Sequence, residues 1–364
     1  MKKLIIVILC CFSAFLTHAQ VVSLSTKEVE KLKRIIKTDN SAKKHWLGLL
    51  KTADNALSEA PNPVDTILTQ GLLQGDPRKT RTREALNDMQ KVYALALAYR
   101  INDDEKYLTK AGDFLLAWAK RNQPQGDPIN DTNLDRIIFA YDLLKNSLPT
   151  EVKQQTEKWL ENVAQQELNT YERAVQRKKG TAANNWHSHR IKEVALCAWA
   201  IDNENLKQWV IDKYKMQIAL NLRPDGSSFD FHERDALHYH IYDVDPLMVA
   251  ATILNRAKVD YNAYTYTSPE GCSLKKSVDW LVPYFTGAQT HAEFVNSKVA
   301  FDKKRAENGE KGYIAGTLFN PKEARSSIAL ADFFDADMLQ IYQKQTNGTA
   351  KFPTWQFVLN EVKR

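Results

Sequence analysis

The sequence predicts an all-α fold of a single domain, in which helical hairpins form a closed or nearly closed ring. Two observations carry this prediction. Apolar residues recur three and four positions apart, as on one face of a helix, and no stretch alternates between apolar and polar residues as a half-buried strand would. The helical spacing is clear in the segments Met89–Leu97, Leu134–Tyr141, Ile191–Trp199 and Val244–Ala251.

Residues that favour turns and helix N-caps separate these helices. They lie at positions 102–104, 123–132, 147–150, 202–205 and 223–228. At the start of the domain Ser25 can cap the first helix and Glu28 can complete a capping box, and the last helix is expected from about Pro353 to Lys363. Helix pairs recur at roughly 40 to 50 residues without a dividing linker, which favours one ring over two domains.

Residues 1–19 have the features of a secretory signal peptide. Lys2 and Lys3 precede an apolar run that ends at Leu16, and Ala19 is a small residue suited to cleavage. The apolar run is shorter than the roughly 20 residues of a membrane-spanning helix. We therefore expect residues 20–364 to be an exported domain, periplasmic or secreted, that spans no membrane.

Charge and cysteine content narrow the function further. The formal net charge of +6 falls to about +4 without the two signal-peptide lysines, which suits an anionic ligand but argues against nucleic acid in an exported chain. Cys10 and Cys11 lack the small preceding residues of a lipoprotein signal. Cys197 and Cys272 remain in the exported domain and are expected to be buried free thiols.

The first candidate site segment reads Asn-Asn-Trp-His-Ser-His-Arg at positions 184–190 and leads into an apolar helix. If that helix already includes Asn185, then Asn185 and His189 share one face, which we expect to face a groove, whereas Trp186 and Arg190 share another. The alternative is that one asparagine only caps the helix while the histidines are solvated.

The second candidate segment, residues 223–242, is interpreted as a long polar connection between two apolar helices. Loops on a rigid scaffold often carry catalytic groups. This one offers several ionisable residues close together: Arg234, His238, Tyr239, His240 and Tyr242. The alternative is that the tyrosines are packed and the histidines are bonded to backbone carbonyls.

The pairing of Asn-Asn-Trp-x-Ser-His-Arg at 184–190 with Arg-x-x-Leu-His-Tyr-His at 234–240 resembles the alginate lyase family of polyuronate lyases, which is built on an incomplete (α/α) toroid. The resemblance covers most of the exported domain. In many relatives the histidine directly follows the asparagine pair, whereas Trp186 intervenes here. Either His187 or His189 could therefore be the catalytic histidine. We prefer His189 because it shares a helix face with Asn185. The resemblance implies as catalytic residues Asn185, His189, Arg234 and Tyr239.

Substrate contacts are expected from neighbouring residues: Asn184, Trp186, His187, Arg190, His240 and Tyr242. Two basic clusters, Arg78–Arg83 and His291–Arg305, could bind further uronate carboxylates or could simply be solvated. The expected partner is an anionic polysaccharide, bound by a monomer without a metal or cofactor.

These residue types suit β-elimination from a 4-linked uronate, which requires loss of the C5 proton and departure of the C4 oxygen. Donors such as Asn185 and a histidine can stabilise the charge that develops on the uronate carboxylate. Tyr239 can protonate the leaving oxygen and, for some sugars, remove the C5 proton, if a cation such as Arg234 lowers its pKa from about 10. His189 is the natural base when the C5 proton lies on the opposite face.

Three alternatives remain open at this point. An (α/α)-barrel glycoside hydrolase would use two carboxylates. The candidates for them are Asp135, Asp225, Asp230 and Glu233. A zinc site could draw on the pairs His187 with His189 and His238 with His240, although no cysteine or His-Glu-x-x-His motif accompanies them. An exported, non-catalytic glycan-binding protein could use the same aromatic and basic residues.

Overall fold

The computed structural model describes residues 20–364, so the predicted signal peptide and Cys10 and Cys11 lie outside the described residues. Within residues 20–364 the chain forms α-helices, two isolated bridges and no longer strand. No helix of this range combines the length and the apolar character needed to cross a bilayer. The all-α prediction is confirmed.

The helices follow one another along the whole described range, with short 3-10 turns between some of them. Their bounds are α1 Thr26–Thr38, α2 Asn40–Ala56, α3 Pro77–Ala85, α4 Asn87–Asn102, α5 Glu105–Arg121, α6 Pro128–Asp131, α7 Asp135–Leu144, α8 Thr150–Gln176, α9 Asn185–Ala200, α10 Glu204–Asn221, α11 Phe229–Arg234, α12 Leu237–Arg256, α13 Leu274–Thr286, α14 Ala300–Glu307, α15 Arg325–Ala331, α16 Asp337–Thr346 and α17 Trp355–Lys363.

In the described part of the chain, seven helices form an inner ring. Each packs against the next in the order α2, α4, α7, α9, α12, α15 and α17, and α17 returns to pack on α2. Other helices lie outside this ring: α5 packs on α4, α8 and α10 pack on α9, and α13 packs on α12. This is the (α/α) toroid that the resemblance implied.

The ends of the helices show why the sequence folds this way locally. Ser25 caps α1 and the Glu28 carboxylate accepts the Ser25 backbone N–H at 2.7 Å, so the predicted capping box is present. The same carboxylate accepts two hydrogen bonds from Arg256, the last residue of α12. The start of the domain is thereby tied to the far end of an inner helix.

The packed interior lies between neighbouring helices and leaves space inside the ring. Trp118 of α5 is fully buried and donates its indole N–H to Asp88 of α4 at 3.0 Å. Cys197 and Cys272 are buried free thiols, as predicted. Inside the ring lies a cavity of about 570 Å³. Its lining includes Tyr93, Asp135, Arg136, Phe139, Arg325 and Trp355.

The second candidate segment is not the long loop that we expected. It forms a short turn, helix α11 and the first turns of α12, so Tyr239 and Tyr242 are helical residues. The physical reason lies in a remote residue. Glu293 accepts the N–H groups of Leu237 and His238 at 2.8 and 3.0 Å and so caps α12 from outside the segment.

Candidate active site

Helix α9 begins at Asn185, so Asn185 and His189 lie on the same face of the helix. The Asn184 side chain accepts the Trp186 N–H at 3.1 Å and caps the helix. The Asp230 carboxylate accepts the backbone N–H of Asn185 at 2.7 Å and its side-chain amide at 2.5 Å. Because an amide nitrogen carries two hydrogens, Asp230 fixes the orientation of Asn185 and leaves one donor for a ligand.

His189 lies one turn further along the same face of α9. Its Nδ1 is 2.8 Å from the Thr132 hydroxyl, and its ring centroid is 4.2 Å from that of Tyr242. The side chain is almost fully buried, and its Nε2 has no hydrogen-bond partner within residues 20–364. Burial, together with the positive charge of Lys192, lowers the pKa of His189 well below its usual value. The imidazole is therefore neutral at physiological pH.

Two arginines contact Tyr239, and they do so differently. The Arg234 guanidinium lies 3.9 Å from the centroid of the Tyr239 ring and is paired with Asp302. Arg305 donates from Nη1 to the Tyr239 hydroxyl at 3.2 Å and to the Tyr313 hydroxyl at 2.5 Å. Arg234 is close enough to lower the pKa of Tyr239, but it stacks on the ring, and the residue that contacts the hydroxyl oxygen is Arg305.

The electrostatics of Tyr239 reflect this arrangement. Burial raises the pKa of its hydroxyl far above the usual value, and the Tyr313 hydroxyl adds to the rise. The charges of Arg234 and Arg305 lower the pKa and so oppose the effect of burial. The two arginines stabilise the tyrosinate form of a phenol that its surroundings would otherwise keep protonated.

Tyr242 lies between His189 and Tyr239. Its ring centroid is 4.2 Å from that of His189 and 6.2 Å from that of Tyr239. We call Asn185, His189, Tyr239 and Tyr242 the inner cluster. We expected Asn185 and His189 to face a groove; they share a face, but Asp230 and Tyr242 pack against them and bury both. Tyr242 itself remains partly exposed.

Two of the expected substrate contacts are corrected by the structure. His187 is completely buried, stacks on Tyr171 of α8 with ring centroids 4.4 Å apart, and lies edge-on to Trp209 of α10. It therefore points into the outer layer of the toroid. His240 is also completely buried, with its Nε2 3.0 Å from the Ser277 carbonyl oxygen. Neither side chain is placed to contact a sugar.

The remaining candidates divide between the two sides of α9. Trp186 and Arg190 lie on the side of α8, away from the inner cluster, and line a separate cleft. Arg190 is paired with Glu167 at 3.0 Å. Asn184 is the helix cap, and His238 lies at the exposed end of α12 near Glu323. Of the expected substrate-binding residues, Tyr242 is the one that joins the inner cluster.

Sequence reasoning gave no specific role to several residues of the site. Asp230 appeared only as a possible hydrolase acid, and Arg305 only within a basic cluster. The residues without any assigned role are Thr132, Lys192, Asp302 and Tyr313. The signal that could have found Asp230 is its position in a polar segment beside the Asn-Asn pair. No local signal marks residues 302–313, because they reach Tyr239 only through the fold.

The carboxylates of the hydrolase alternative are all engaged. Asp230 holds Asn185, Glu233 pairs with Lys298, and Asp225 accepts the Ser227 N–H within its own turn. Asp135 pairs with buried Lys192 at 2.6 Å. Among residues 20–364 no three His, Cys, Asp or Glu side chains are grouped to hold a metal ion, and the four histidines of the zinc alternative point into different surroundings.

An (α/α) toroid that brings together an amide, a neutral imidazole and an arginine-bound phenol, with its candidate carboxylates engaged, suits a polysaccharide lyase. Comparison with known proteins gives the particular family. The sequence model of the alginate lyase family matches residues 32–291, and the chain belongs to this family. The search of curated proteins gave no match.

Solved structures share the fold. The crystal structure of an alginate lyase from Bacteroides ovatus aligns with a TM-score of 0.66 at 19% identity, over 93% of this chain and 98% of the other. Alginate lyase A1-III from Sphingomonas species A1 aligns with a TM-score of 0.60 at 17% identity, over 92% and 95%. A histidine-to-alanine variant of A1-III complexed with tetrasaccharide aligns with a TM-score of 0.57 at 18% identity, over 91% and 94%.

Proposed function

We propose that this enzyme cleaves alginate, or a similar polyuronate such as glucuronan, by β-elimination and leaves an unsaturated uronate at the new non-reducing end. The observation that carries the proposal is the Tyr239 hydroxyl, which is bonded to Arg305 and lies in one cluster with His189 and Asn185. Membership of the alginate lyase family supports the substrate, as does the tetrasaccharide complex of a protein with this fold.

In this proposal Asn185 and His189 bind the uronate carboxylate next to C5. Lys192 donates to the Thr132 hydroxyl oxygen at 2.7 Å, so the single proton of that hydroxyl is free to bond Nδ1 of His189. This arrangement leaves the imidazole hydrogen on Nε2. Nε2–H and the free amide N–H then face the carboxylate as neutral donors, and in a dry site they stabilise the charge that develops when C5 loses its proton.

Tyr239 performs both proton transfers. As tyrosinate it removes the C5 proton, and the electron pair of that bond forms the C4–C5 double bond while the bond from C4 to the glycosidic oxygen breaks. The resulting phenol gives the same proton to the departing oxygen, which regenerates tyrosinate. Proton transfer by a positioned group contributes typically about 10² to 10⁴ in rate. Arg234 and Arg305 support this chemistry because their charges offset part of the rise in pKa that burial causes.

We further propose that the protein is exported to the periplasm or medium and acts as a monomer with residues 20–364 as its catalytic domain. Lys2 and Lys3, the apolar run that follows and Ala19 support export. Recovery of the protein only from the cytoplasm, with Met1 still present, would contradict this part of the proposal.

The decisive experiment is to incubate residues 20–364 with alginate, glucuronan and a hyaluronan-type polymer and to follow ultraviolet absorbance. We expect absorbance from the new conjugated double bond with at least one of these polymers, and no loss of rate after chelator treatment. Reducing sugars that appear without any change of absorbance would show hydrolysis instead. Binding without either product would identify a glycan-binding protein.

A further inference from the structure

A second charged feature lies on the α8 side of α9, away from the inner cluster. A cleft of about 320 Å³ is bounded by the loop at 125–127, the end of α8, the loop at 177–181 and the start of α9. We call it the outer basic cleft. Its polar and aromatic lining includes Arg173, Arg177, Lys179, Thr181, Trp186 and Arg190.

The positive charges at the rim of the outer basic cleft have no ion-pair partner within the described residues. Arg173, Arg177 and Lys179 are exposed, and within residues 20–364 none of them has a carboxylate within 4.0 Å. The nearby Asp127 carboxylate is occupied, because it accepts the N–H groups of Ile129 and Asn130 and caps α6.

The base of the cleft is built rather than loose. Arg190 is 2% exposed, donates from Nε to Glu167 at 3.0 Å and from Nη1 to the Thr181 carbonyl at 3.3 Å. Burial raises the pKa of Glu167 to about 7, and the charge of Arg190 opposes that rise; burial also raises the pKa of the adjacent Asp131. A fixed arginine at the base and mobile cations at the rim suit planar anionic groups such as carboxylates.

The position of the cleft relates it to the proposed reaction. Trp186 and Arg190 occupy one face of the first turns of α9, and Asn185 and His189 occupy another. Because consecutive helix residues are about 100° apart, the two faces are neighbouring sides of a helix roughly 10 to 12 Å across. A polymer that lies in the active site and continues past the start of α9 can therefore reach the cleft, where the partly exposed Trp186 offers an aromatic surface.

We propose that the outer basic cleft binds uronate carboxylates of the polysaccharide chain at a distance from the cleavage point. The substrate class rests on the proposed function, but the cleft itself does not. Its role is to hold long chains, so it contributes to the apparent affinity for polymer and not to the chemical step or to short substrates.

The test compares a triple substitution of the rim, Arg173→Gln with Arg177→Gln and Lys179→Gln, with a control that removes the same charge elsewhere. Lys43→Gln, Lys44→Gln and Lys51→Gln on α2 serve as the control, because these lysines are exposed and none is within 4.0 Å of a described carboxylate. KM and kcat are measured with polymeric alginate and with an alginate tetrasaccharide.

We expect the rim variant to raise KM for the polymer by about three- to tenfold, since each exposed ion pair contributes modestly. The KM and kcat of the rim variant with the tetrasaccharide should be unchanged. The control variant should have unchanged KM and kcat with both substrates. An equal effect on both substrates, or no difference between the rim variant and the control, would overturn the inference.

A binding measurement separates this inference from the proposed function. Electrophoretic retardation in gels that contain alginate does not depend on turnover. If the wild-type protein makes no unsaturated product but the rim variant still loses retardation relative to the control, the proposed lyase reaction fails and the outer basic cleft stands. If retardation is equal in both variants, the cleft is not a binding site for this polymer.

Discussion

The two faces of the first turns of α9 have similar composition and different surroundings. On the inner face, His189 contacts Tyr242 and Thr132, and its Nε2 is directed to no protein acceptor among residues 20–364. On the outer face, His187 is stacked on Tyr171 and enclosed by α8 and α10. Two histidines two positions apart are both buried and neutral, yet only one lies beside the groups that can perform chemistry.

The difference shows that the position of each histidine around the helix axis determines what it contacts. Residues two positions apart on a helix point in nearly opposite directions, so a toroid directs one of them inward and the other to the outer layer. Burial and a lowered pKa do not distinguish His187 from His189, because both have them. What distinguishes them is the phenol-containing cluster on one side and an aromatic stack on the other.

The largest expected effect tests whether the inner cluster is catalytic at all. Tyr239→Phe keeps the ring, its packing and its contact with Arg234, and deletes the hydroxyl that Arg305 binds. We expect turnover to fall by at least about 10², with substrate binding nearly unchanged, because the lost interaction belongs to the transition state. Initial rates by absorbance measure turnover, retardation in alginate-containing gels measures binding, and denaturant unfolding checks that the fold is intact.

Tyr242→Phe is the matched control for this prediction. Tyr242 lies one helical turn away, is partly exposed, and donates no hydrogen bond among the described residues. It should retain most of its turnover. An inactive Tyr242→Phe beside an active Tyr239→Phe would reverse the two assignments, and two active variants would refute the elimination mechanism.

The next prediction concerns His189 as a donor to the uronate carboxylate. His189→Ala should lower turnover by about 10² to 10³, the usual loss when one donor to a developing charge is removed. Because the imidazole is neutral and holds its hydrogen on Nε2, His189→Gln can partly restore the rate. If His189→Gln is as inactive as His189→Ala while both fold normally, His189 acts as a base and the donor role is wrong.

Arg305 should set the pH at which the inner cluster works. Since burial raises the pKa of Tyr239 and Arg305 opposes this, the fraction of tyrosinate, and with it kcat, should rise with pH above neutrality. Arg305→Met removes a charge-assisted hydrogen bond, so we expect roughly tenfold lower turnover at neutral pH and a profile displaced upward by about one pH unit. The exposed neighbour Lys304 provides the control Lys304→Met, which should leave the pH profile in place.

Much of the fold could be predicted because its signals are local. The Ser25–Glu28 capping box and the apolar spacing in α4, α7, α9 and α12 are readable from neighbouring residues. The segment at 223–242 was interpreted wrongly because the residue that caps α12, Glu293, is more than fifty positions away. A helix start that is stabilised by tertiary contact leaves no mark in its own sequence.

In the candidate site, too, some residues could be predicted from local sequence and others only from the fold. Asn185, His189 and Tyr239 lie in two dense segments. The resemblance of these segments to the family's motifs selected the three residues, helical spacing favoured His189 over His187, and their catalytic roles remain predictions. Arg305 could not be singled out from its basic cluster, since Lys303 and Lys304 have the same charge and only the fold brings the Arg305 guanidinium to the Tyr239 hydroxyl.

The smallest expected effect is that of a substitution at His187, on the outer face of α9. His187 is fully buried, and neither ring nitrogen has a hydrogen-bond partner among residues 20–364. Burial, with Arg190 and Lys213 nearby, lowers its pKa well below the usual value. His187→Phe keeps a flat ring on Tyr171 and removes two unsatisfied polar atoms, so turnover should be unchanged and stability equal or slightly higher at pH 7.

The pH dependence of that stability decides whether His187 is structural. A depressed folded pKa means that the unfolded chain binds the extra proton, so protonation of His187 does not affect stability well above about pH 6.5 and favours the unfolded chain as the pH falls below it. Wild-type protein should therefore lose about 1.4 kcal/mol per pH unit from this group below that point, while His187→Phe should not. Urea unfolding of both proteins at pH 7 and pH 5 measures the change. The difference in unfolding free energy between the two proteins should widen in acid. A constant difference would show that burial does not lower the pKa of His187, whereas a lowered kcat of His187→Phe would place His187 in the reaction and erase the distinction between the two faces of α9.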